Sequence, residues 1–363
     1  MRVDRWILFT VLAIAAFGLL MVASASMVIS DKHFGYPFHY FLRQFIYFIA
    51  GAGLVWGVMR IPLELWQRYA GHLMLLTLLL LLAVLVPGIG HVVNGSRRWI
   101  SLGIISLQVS EVAKFSFIIY LSSYLFRYQD EVQTELKGFL KPLFLLGLVG
   151  ILLLLEPDFG STTVITMTAL GLLFIAGVRL APFVGLFALV ASAMSLLAIT
   201  SPYRLARLTT FLNPWHTAFG SGYQLTQSLI AFGRGGLFGV GLGNSVQKLF
   251  YLPEAHTDFI FAVTAEELGF VGALLLIALF VVLIARIFKL GKQAFDCGNL
   301  FGRYVCYGAG LWFSLQMLIN IGVNTGVLPT KGLTLPLVSY GGSSLLINCV
   351  LIGIILRVAY ETG

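Results

Sequence analysis

Residues 6–27 read WILFTVLAIAAFGLLMVASASM, a run that contains no charged side chain. An α-helix needs about 20 consecutive apolar residues to cross the hydrocarbon core of a bilayer, and this run is long enough. It is also longer than the roughly 7–15 apolar residues at the centre of a cleavable signal peptide, although Arg2 and Arg5 precede it. The sequence therefore predicts a first membrane-spanning helix that is retained.

Further apolar runs follow along the chain. They lie near residues 44–59, 70–87, 108–126, 140–156, 161–178, 181–200, 262–288, 302–323 and 343–360. The connections are short except for one long loop, so the sequence predicts a single all-α integral-membrane domain over residues 1–363 with about ten transmembrane helices. The runs at 44–59 and 161–178 are short, which is typical of segments that are tilted, fused to neighbouring helices or partly re-entrant.

The composition supports a polytopic membrane protein and excludes a soluble enzyme. Apolar residues form 59% of the 363 residues and charged residues only 10%, against about 25% charged residues in soluble domains. The net charge is +8, but the basic residues are scattered between apolar runs, so no nucleic-acid partner is expected. Cys297, Cys306 and Cys349 lack metal-ligand spacing and are interpreted as packing residues.

The distribution of Lys and Arg predicts that both termini are cytoplasmic. An even number of spans places the termini on one side, and with the N-terminus inside, more basic residues fall on that side. The long loop at about 201–258 is then extracytoplasmic. It contains an amphipathic stretch at 223–232, which is typical of a helix on the membrane surface, and a glycine-rich run at 233–243.

Catalytic or binding residues are best sought among the few ionisable side chains near the spans, since no nucleotide-binding, zinc-protease or serine-hydrolase motif occurs. Glu111 and Lys114 lie three residues apart on one helix face at the start of the fourth run. They form either an ion pair that fixes helix packing or the wall of a polar cavity, where Glu111 holds a cation or Lys114 an anionic substrate group. Glu156 and Asp158 are interpreted as part of a tight turn in which Asp158 caps the next helix.

Two arginines and a tryptophan precede the fourth run. Arg97, Arg98 and Trp99 form either an interfacial anchor or a clamp for a phosphate group. The planar guanidinium fork suits bidentate contact with phosphate oxygens. The spacing alone leaves both interpretations open.

Another basic residue, Lys331, precedes a segment rich in glycine and hydroxyl side chains. The glycines of Pro336–Ser344 permit a sharp turn of the chain, and Ser339 and Ser343 can satisfy backbone groups that the turn leaves open. The start of the last span favours an anion, because backbone N–H groups point outward at a helix N-terminus. This segment is therefore a candidate phosphate-binding region.

The densest polar cluster closes the long loop. Glu254, His256 and Asp258 lie in one short segment next to a very apolar run, and Glu266 and Glu267 follow. A helix cap is the structural alternative, but an Asp at an apolar boundary can act as a general base or bind Mg²⁺ or Mn²⁺. Adjacent glutamates point about 100° apart on a helix, so only one of this pair can face a given cavity. We therefore predict a site centred on Asp258.

These segments together resemble the SEDS family of cell-wall polymerases over nearly the whole chain. The resemblance is carried by NGSRRWI at 94–100, QVSEVAK at 108–114, EPDFGS at 156–161 and the segments 252–269 and 328–344. The strings at 254–258 and 330–334 are most similar to the division branch of the family. The family often has Pro at the position of Val109, and we expect that departure to have a small local effect.

The resemblance implies a ten-span peptidoglycan glycosyltransferase at the division septum of the bacterial inner membrane. Its substrate would be lipid II, an undecaprenyl-pyrophosphate disaccharide-pentapeptide, and its partners a class B penicillin-binding protein and other division proteins. The Asp that matches Asp258 is the essential acid of the family, as a general base or as a ligand of a divalent cation, Mg²⁺ or Mn²⁺. The residues expected to bind substrate are Arg97, Arg98, Trp99, Glu111, Lys114, Glu254, His256, Lys331, Ser339 and Ser343.

The chemistry of such a substrate gives these residues roles. Two phosphates and a lipid tail require an apolar groove with cations at its edge, which Arg97, Arg98 and Lys331 could supply. In this hypothesis Asp258 activates the acceptor hydroxyl, and the Glu111–Lys114 pair shapes the cavity. A lipid II flippase and a non-catalytic division scaffold are the alternatives. A cluster at the outer edge of the membrane, instead of the midplane where transporter sites lie, favours an enzyme over a transporter.

Overall fold

The computed structural model describes residues 4–93, 96–101, 103, 106–200 and 210–363. Its helices and strands are α1 (Arg5–Phe34), α2 (His39–Val58), α3 (Leu63–Leu85), β1 (Gly90–Val93), β2 (Ser96–Ser101), β3 (Ser106–Gln108), α4 (Val109–Arg127), α5 (Gln129–Thr134), α6 (Leu136–Leu155), α7 (Phe159–Ile175), α8 (Leu180–Ile199), α9 (Tyr223–Gly235), α10 (Ile260–Asp296), α11 (Leu300–Asn324) and α12 (Gly342–Thr362). Asn94 and Gly95 of the NGSRRWI motif and residues 201–209 of the long loop, with Arg204 and Arg207, lie outside the described residues.

Eight helices of the described chain are long and apolar enough to cross a membrane, namely α1, α2, α3, α4, α6, α10, α11 and α12. Two shorter apolar helices, α7 and the Ala181–Ala193 part of α8, coincide with the sixth and seventh predicted runs. Every predicted run therefore corresponds to one apolar helix, and the predicted polytopic helical fold is confirmed. Helices are expected here because hydrocarbon offers no partner for an open backbone N–H or C=O group.

The segment before α4 departs from the purely helical prediction. It forms a three-stranded antiparallel sheet in the order β1–β2–β3, in which Trp99 pairs with His91 on one side and with Gln108 on the other. Valine, tryptophan and isoleucine favour strands, and the segment is too short and polar to span the bilayer. The sheet carries Arg97 and Arg98 on β2 and ends directly at the start of α4.

The long loop is folded where the structure describes it. The amphipathic stretch predicted at 223–232 is α9, which packs against α10 and α11. The glycine-rich run that follows lies against α10, where Val240 N donates to the Glu266 carbonyl at 3.0 Å. A Cβ on Gly239 would collide with the carbonyl of Glu267, so the close approach requires glycine.

The bundle contains two buried apolar clusters. One joins α1, α10, α11 and α12, and the other joins α3, α4, α6 and α7. Helix α11 contacts both α4 and α7 of the second group and α10 of the first, so it lies between them. Its Trp312 and Phe313 are fully buried. The polar side chains of α11 are consequently positioned to reach segments from both halves of the bundle.

Candidate active site

Asp258 lies two residues before the start of α10 at Ile260 and is half-buried. Its main-chain carbonyl accepts hydrogen bonds from the side-chain amides of Asn320 and Asn324, at 2.9 and 3.0 Å. Its carboxylate lies against Gly332, where an added Cβ would be 3.0 Å from Asp258 Oδ2. The loop that follows α11 is thus brought directly to the predicted general base.

Lys331 extends from the same loop to the start of α7. Its ammonium group lies 3.8 Å from the centroid of the Phe159 ring, a distance at which the negative face of the ring attracts the cation. Asp158 caps α7 by accepting a hydrogen bond from Ser161 N at 3.1 Å, as predicted. The contacts of Lys331 and Gly332 therefore bring Phe159 and Asp258 to one end of the bundle.

The two arginines of β2 reach different segments. Arg98 donates from Nε to the Glu156 carbonyl at 3.0 Å and from Nη2 to the Pro157 carbonyl at 2.6 Å. Arg97 donates from Nη1 to the Leu85 carbonyl at 3.2 Å. Successive residues of a strand point to opposite faces of the sheet, so the two guanidinium groups do not form a joint clamp in this structure. Only Arg98 bonds to the turn that leads into α7.

The predicted residues around Asp258 hold its segment in place. Tyr340 N donates to the His256 carbonyl at 2.9 Å, and the Ser339 hydroxyl donates to the Thr257 carbonyl at 2.6 Å. Glu254 accepts a hydrogen bond from the Thr257 hydroxyl at 2.7 Å. These bonds tie the end of the long loop to the turn before α12, and they occupy the Ser339 hydroxyl and one Glu254 oxygen.

The His256 ring forms part of an aromatic wall next to this segment. It lies 4.9 Å from the ring of Tyr40 and 5.6 Å from the ring of Tyr340, measured between centroids. Burial lowers the pKa of His256. The negative charge of Glu254 acts to raise this pKa, but its effect is smaller. The imidazole is therefore neutral at neutral pH and lacks the charge to bind a phosphate as a cation.

Ser343 joins the start of α12 to the sheet. Its hydroxyl donates to the Ser106 carbonyl at 2.6 Å and accepts a hydrogen bond from Gln108 N at 3.0 Å. This contact links the N-termini of α4 and α12. The contacts of Lys331 and Gly332 link those of α7 and α10, and the bonds of Ser339 and Tyr340 link those of α10 and α12. Helix N-termini carry partial positive charge, so the end of the bundle where they gather favours an anion.

Glu111 and Lys114 lie inside the bundle, away from solvent. Lys114 Nζ is 2.8 Å from Glu111 Oε1 and donates at 3.0 Å to the side-chain carbonyl of Gln316 on α11. It also lies 5.0 Å from the centroid of the Trp312 ring. The geometry favours the packing interpretation of this pair over a direct contact between Lys114 and a substrate.

Glu266 and Glu267 are fully buried but serve the long loop. Glu267 accepts from Lys248 Nζ at 2.7 Å and from the Ser24 hydroxyl at 2.7 Å. Glu266 accepts from Val246 N at 3.1 Å, three residues after the glycine-rich run, and lies 3.6 Å from Arg234 Nη1. Both carboxylates therefore anchor the loop to α1 and α10. They also share a partner, because Ser245 donates to Glu267 from its N–H at 3.4 Å and to Glu266 from its hydroxyl, so both side chains face the same loop although adjacent helical residues were expected to point about 100° apart.

Sequence reasoning missed the amides of α11 and the aromatic wall. Gln316, Asn320 and Asn324 are spaced four residues apart within an apolar run, and this repeat was the available signal. Tyr40 and Tyr340 had no such signal, because they approach His256 only through the packing of α2 against α12. Two of the amides bond to the carbonyl of Asp258, the third bonds to the carbonyl of Thr334, and the two tyrosines contact His256.

A divalent cation at this place would have the Asp258 carboxylate as a ligand. Among the described residues, no group of three or more His, Cys, Asp or Glu side chains could hold a metal ion. Magnesium is commonly bound by one or two carboxylates together with substrate phosphates. The residues present thus fit a cation shared between Asp258 and a phosphate ligand, and they do not fit a site made of protein ligands alone.

Comparison with known proteins gives a consistent result. Residues 4–363 match the FtsW/RodA/SpoVE family model, described as cell cycle protein. The probable peptidoglycan glycosyltransferase FtsW of Coxiella burnetii is 67% identical over 99% of this chain and 96% of its own length. The protein of the same name from Legionella pneumophila is 52% identical over 99% of this chain and 91% of its own length.

Solved structures agree with the sequence relatives. A chain of a peptidoglycan synthase complex that coordinates polymerization and crosslinking superposes with a TM-score of 0.84, at 30% identity over 100% of this chain and 99% of that one. The rod shape determining protein RodA of Thermus thermophilus has a TM-score of 0.74, at 30% identity over 99% of this chain and 98% of its own. The chain therefore belongs to the FtsW/RodA/SpoVE family of integral-membrane cell cycle proteins, the SEDS family that its motifs resemble.

Proposed function

We propose that this chain is a peptidoglycan glycosyltransferase that polymerises lipid II into glycan strands, with Asp258 as the general base. The observation that carries the proposal is the placement of the Asp258 carboxylate against Gly332, next to Lys331, at the end of the bundle where four helix N-termini gather. The relatives at 67% and 52% identity are named as probable peptidoglycan glycosyltransferases, which supports the same reaction class.

The reaction requires one proton acceptor and a site for a pyrophosphate. The 4-hydroxyl oxygen of the acceptor sugar attacks the anomeric carbon of the lipid-linked donor chain, and its proton passes to the Asp258 carboxylate. The bond from the anomeric carbon to the pyrophosphate oxygen breaks, so undecaprenyl pyrophosphate leaves with the electron pair. Asp258 suits this role because it is half-buried and therefore not fully solvated.

The leaving pyrophosphate is stabilised by positive groups at the same end of the bundle. Lys331 is held there by the Phe159 ring, and Arg98 by two carbonyls of the turn before α7. The helix N-termini add partial positive charge without a cost of reorganisation. When a Mg²⁺ or Mn²⁺ ion takes part, Asp258 is the residue that would hold it together with the phosphates, and the ion would offset their negative charge.

The cellular setting follows from the orientation of the helices. With both termini in the cytoplasm, Asp258 and the long loop lie on the extracytoplasmic side of the inner membrane, where glycan strands are built. The similarity to a chain of a peptidoglycan synthase complex supports a class B penicillin-binding protein as partner for crosslinking. The similarity of the motifs to the division branch supports action at the septum with other division proteins.

The proposal is tested with purified protein in detergent, labelled lipid II and the penicillin-binding partner. We expect Asp258→Asn to reduce polymerisation by about 10² to 10⁴-fold, the usual contribution of a general base. Asp130→Asn, at an exposed position of α5, is the control and should polymerise normally. Glycan formed by the parent chain in detergent excludes a flippase that only transports, and normal polymerisation by Asp258→Asn contradicts the role of Asp258.

Two further arms of this assay separate the remaining questions. Omitting the penicillin-binding protein tests whether the chain depends on its partner for activity. Adding a chelator and then restoring Mg²⁺ or Mn²⁺ tests the cation, since recovery with one metal identifies it. A parent chain that binds division proteins but forms no glycan under any of these conditions would support the scaffold alternative.

A further inference from the structure

Three amide side chains form a row on one face of α11. Gln316, Asn320 and Asn324 are each four residues apart, so they lie one above another along the helix. All three are buried, with at most 2% of their surface exposed. Polar side chains inside a membrane protein are costly unless they are hydrogen-bonded, so the partners of this row indicate its purpose.

The middle amide joins two segments of the site. Asn320 Nδ2 donates at 2.9 Å to the carbonyl of Asp258 and at 2.6 Å to the carbonyl of Leu333. Asp258 belongs to the end of the long loop, and Leu333 belongs to the loop that carries Lys331 and Gly332. One side chain therefore connects the backbone of the general base to the backbone of the cationic loop.

The last amide of the row bonds to the same carbonyl. Asn324 Nδ2 donates to the Asp258 carbonyl at 3.0 Å, and its Oδ1 accepts from Ala262 N in the first turn of α10 at 3.1 Å. The N-cap residue of α10, Phe259, has no side-chain oxygen to accept that bond. Asn324 thus caps α10 from a different helix and fixes the point from which Asp258 projects.

The first amide connects the row to the buried ion pair. Gln316 Nε2 donates to the Thr334 carbonyl at 2.9 Å, and its Oε1 accepts from Lys114 Nζ at 3.0 Å. Lys114 is in turn paired with Glu111 at 2.8 Å. The ion pair therefore orients Gln316, and Gln316 holds the cationic loop one residue beyond the contact made by Asn320.

We propose that Gln316, Asn320 and Asn324 are positioning residues for glycosyl transfer, which set the separation between the Asp258 carboxylate and the Lys331 loop. The inference rests on the proposed function, because that separation matters only if both groups act on one substrate. Misplacing a catalytic group by about 1 Å can reduce a rate by about 10²-fold. Glu111 and Lys114 then influence the reaction through Gln316, without contact with the substrate.

The test compares kcat and KM for lipid II in Asn320→Leu and Asn320→Asp. Leucine removes both donated bonds while keeping the number and branching of the side-chain heavy atoms, and aspartate places an oxygen against two carbonyls. We expect kcat to fall about 10 to 100-fold in both variants and KM to stay within about threefold, because the row does not touch the substrate. Thr325→Val is the control, since Thr325 Oγ1 bonds only to carbonyls of its own helix among the described residues.

The thermal unfolding midpoint of each variant shows whether it is folded, and a second variant in the same row replaces one that is not. If Asn320→Leu does not fold, Gln316→Met carries the test, because it removes the Thr334 contact from the same row at similar volume. A normal kcat in the folded variants overturns the positioning role. The role is also overturned if a variant with a lowered unfolding midpoint regains the parent kcat when the assay temperature is lowered, because the loss of kcat then reflects partial unfolding. Parent protein that makes no glycan contradicts the proposed function instead, so the two failures are distinguishable.

Discussion

At the scale of single residues, Glu156 has an unusual environment. It lies in the turn between α6 and α7, its side chain is fully buried, and neither carboxylate oxygen has a hydrogen-bond partner among the described residues. Burial, reinforced by the negative charge of Asp158, raises the pKa of Glu156 to about 8, although Arg98 opposes the shift. Glu156 is therefore mostly neutral at pH 7, which removes one negative charge from the region where a pyrophosphate would bind.

The raised pKa of Glu156 predicts that the free energy of unfolding depends on pH. Below pH 4.5 the carboxyl is protonated in both the folded and the unfolded chain, so it contributes no pH dependence there. Between pH 4.5 and about 8 the unfolded chain releases the proton and the folded chain retains it, so stability falls as the pH rises. Glu156→Gln should remove that loss, which is on the order of 3 kcal/mol at pH 7.

The measurement is the thermal unfolding midpoint in detergent between pH 5 and 8. The midpoint of Glu156→Gln should decrease less over this range than that of the parent chain, and it should be higher at pH 7. Glu135→Gln, at an exposed position, serves as the control and should follow the parent chain. Parallel pH curves for the parent chain and Glu156→Gln would show that Glu156 is ionised in the folded protein.

At the scale of elements, helix α10 depends on the loop that packs against it. The helix is interrupted at Gly269, whose φ of +68° and ψ of −167° are not helical. Beside this break the Lys248 ammonium reaches Glu267 at 2.7 Å, and both side chains are buried. The loop therefore supplies the countercharge of a buried carboxylate. Its backbone also contacts the helix, because Val240 N donates to the Glu266 carbonyl at 3.0 Å.

Removing that countercharge should destabilise the protein strongly. Lys248→Met leaves the Glu267 carboxylate buried without its cation, and breaking a buried pair in this way costs about 3–5 kcal/mol. Lys141→Met is the matched control, because Lys141 and Glu131 are 57% and 41% exposed and such pairs contribute about 1 kcal/mol or less. Equal shifts of the unfolding midpoint in the two variants would contradict the anchoring role of Lys248.

At the scale of the whole molecule, the orientation in the membrane determines which end of the bundle would meet the proposed lipid II substrate. Cys297 is exposed in the turn between α10 and α11, whereas Cys306 and Cys349 are buried. Phe219 is fully exposed in the long loop before α9. These two exposed positions lie on opposite sides of the bilayer in the proposed orientation, because α10 separates Cys297 from the end of the long loop.

The orientation predicts the labelling of spheroplasts with a membrane-impermeant maleimide. The cysteine of Phe219→Cys should react from outside, and Cys297 should react only after the membrane is permeabilised. The two buried thiols provide the unreactive background in both conditions. Labelling of Cys297 in sealed spheroplasts would contradict the proposed orientation, because it would place the termini outside and the site on the cytoplasmic side.

Much of the fold could be predicted because hydrophobicity is a local property of the chain. All ten apolar runs correspond to helices, since a predominantly apolar segment in hydrocarbon must satisfy its backbone hydrogen bonds internally. The three-stranded sheet was missed, because its short strands have no strong periodic signal and are stabilised by pairing with one another. The acids that gather at one boundary of an apolar run predict Asp258 as the centre of the site, and the polymerisation assay of Asp258→Asn tests that prediction.

The sequence by itself determined the class of the protein, the positions of its helices and the residue on which a reaction should depend. Only the tertiary structure decided which polar groups meet: Asp258 with Gly332, Asn320 with both Asp258 and Leu333, and the acids after Asp258 with the long loop instead of the site. The physical reason is that these contacts join residues far apart in the chain. Local composition sets which segments enter the membrane, but the packing of α11 between two halves of the bundle sets which carbonyls its amides can reach.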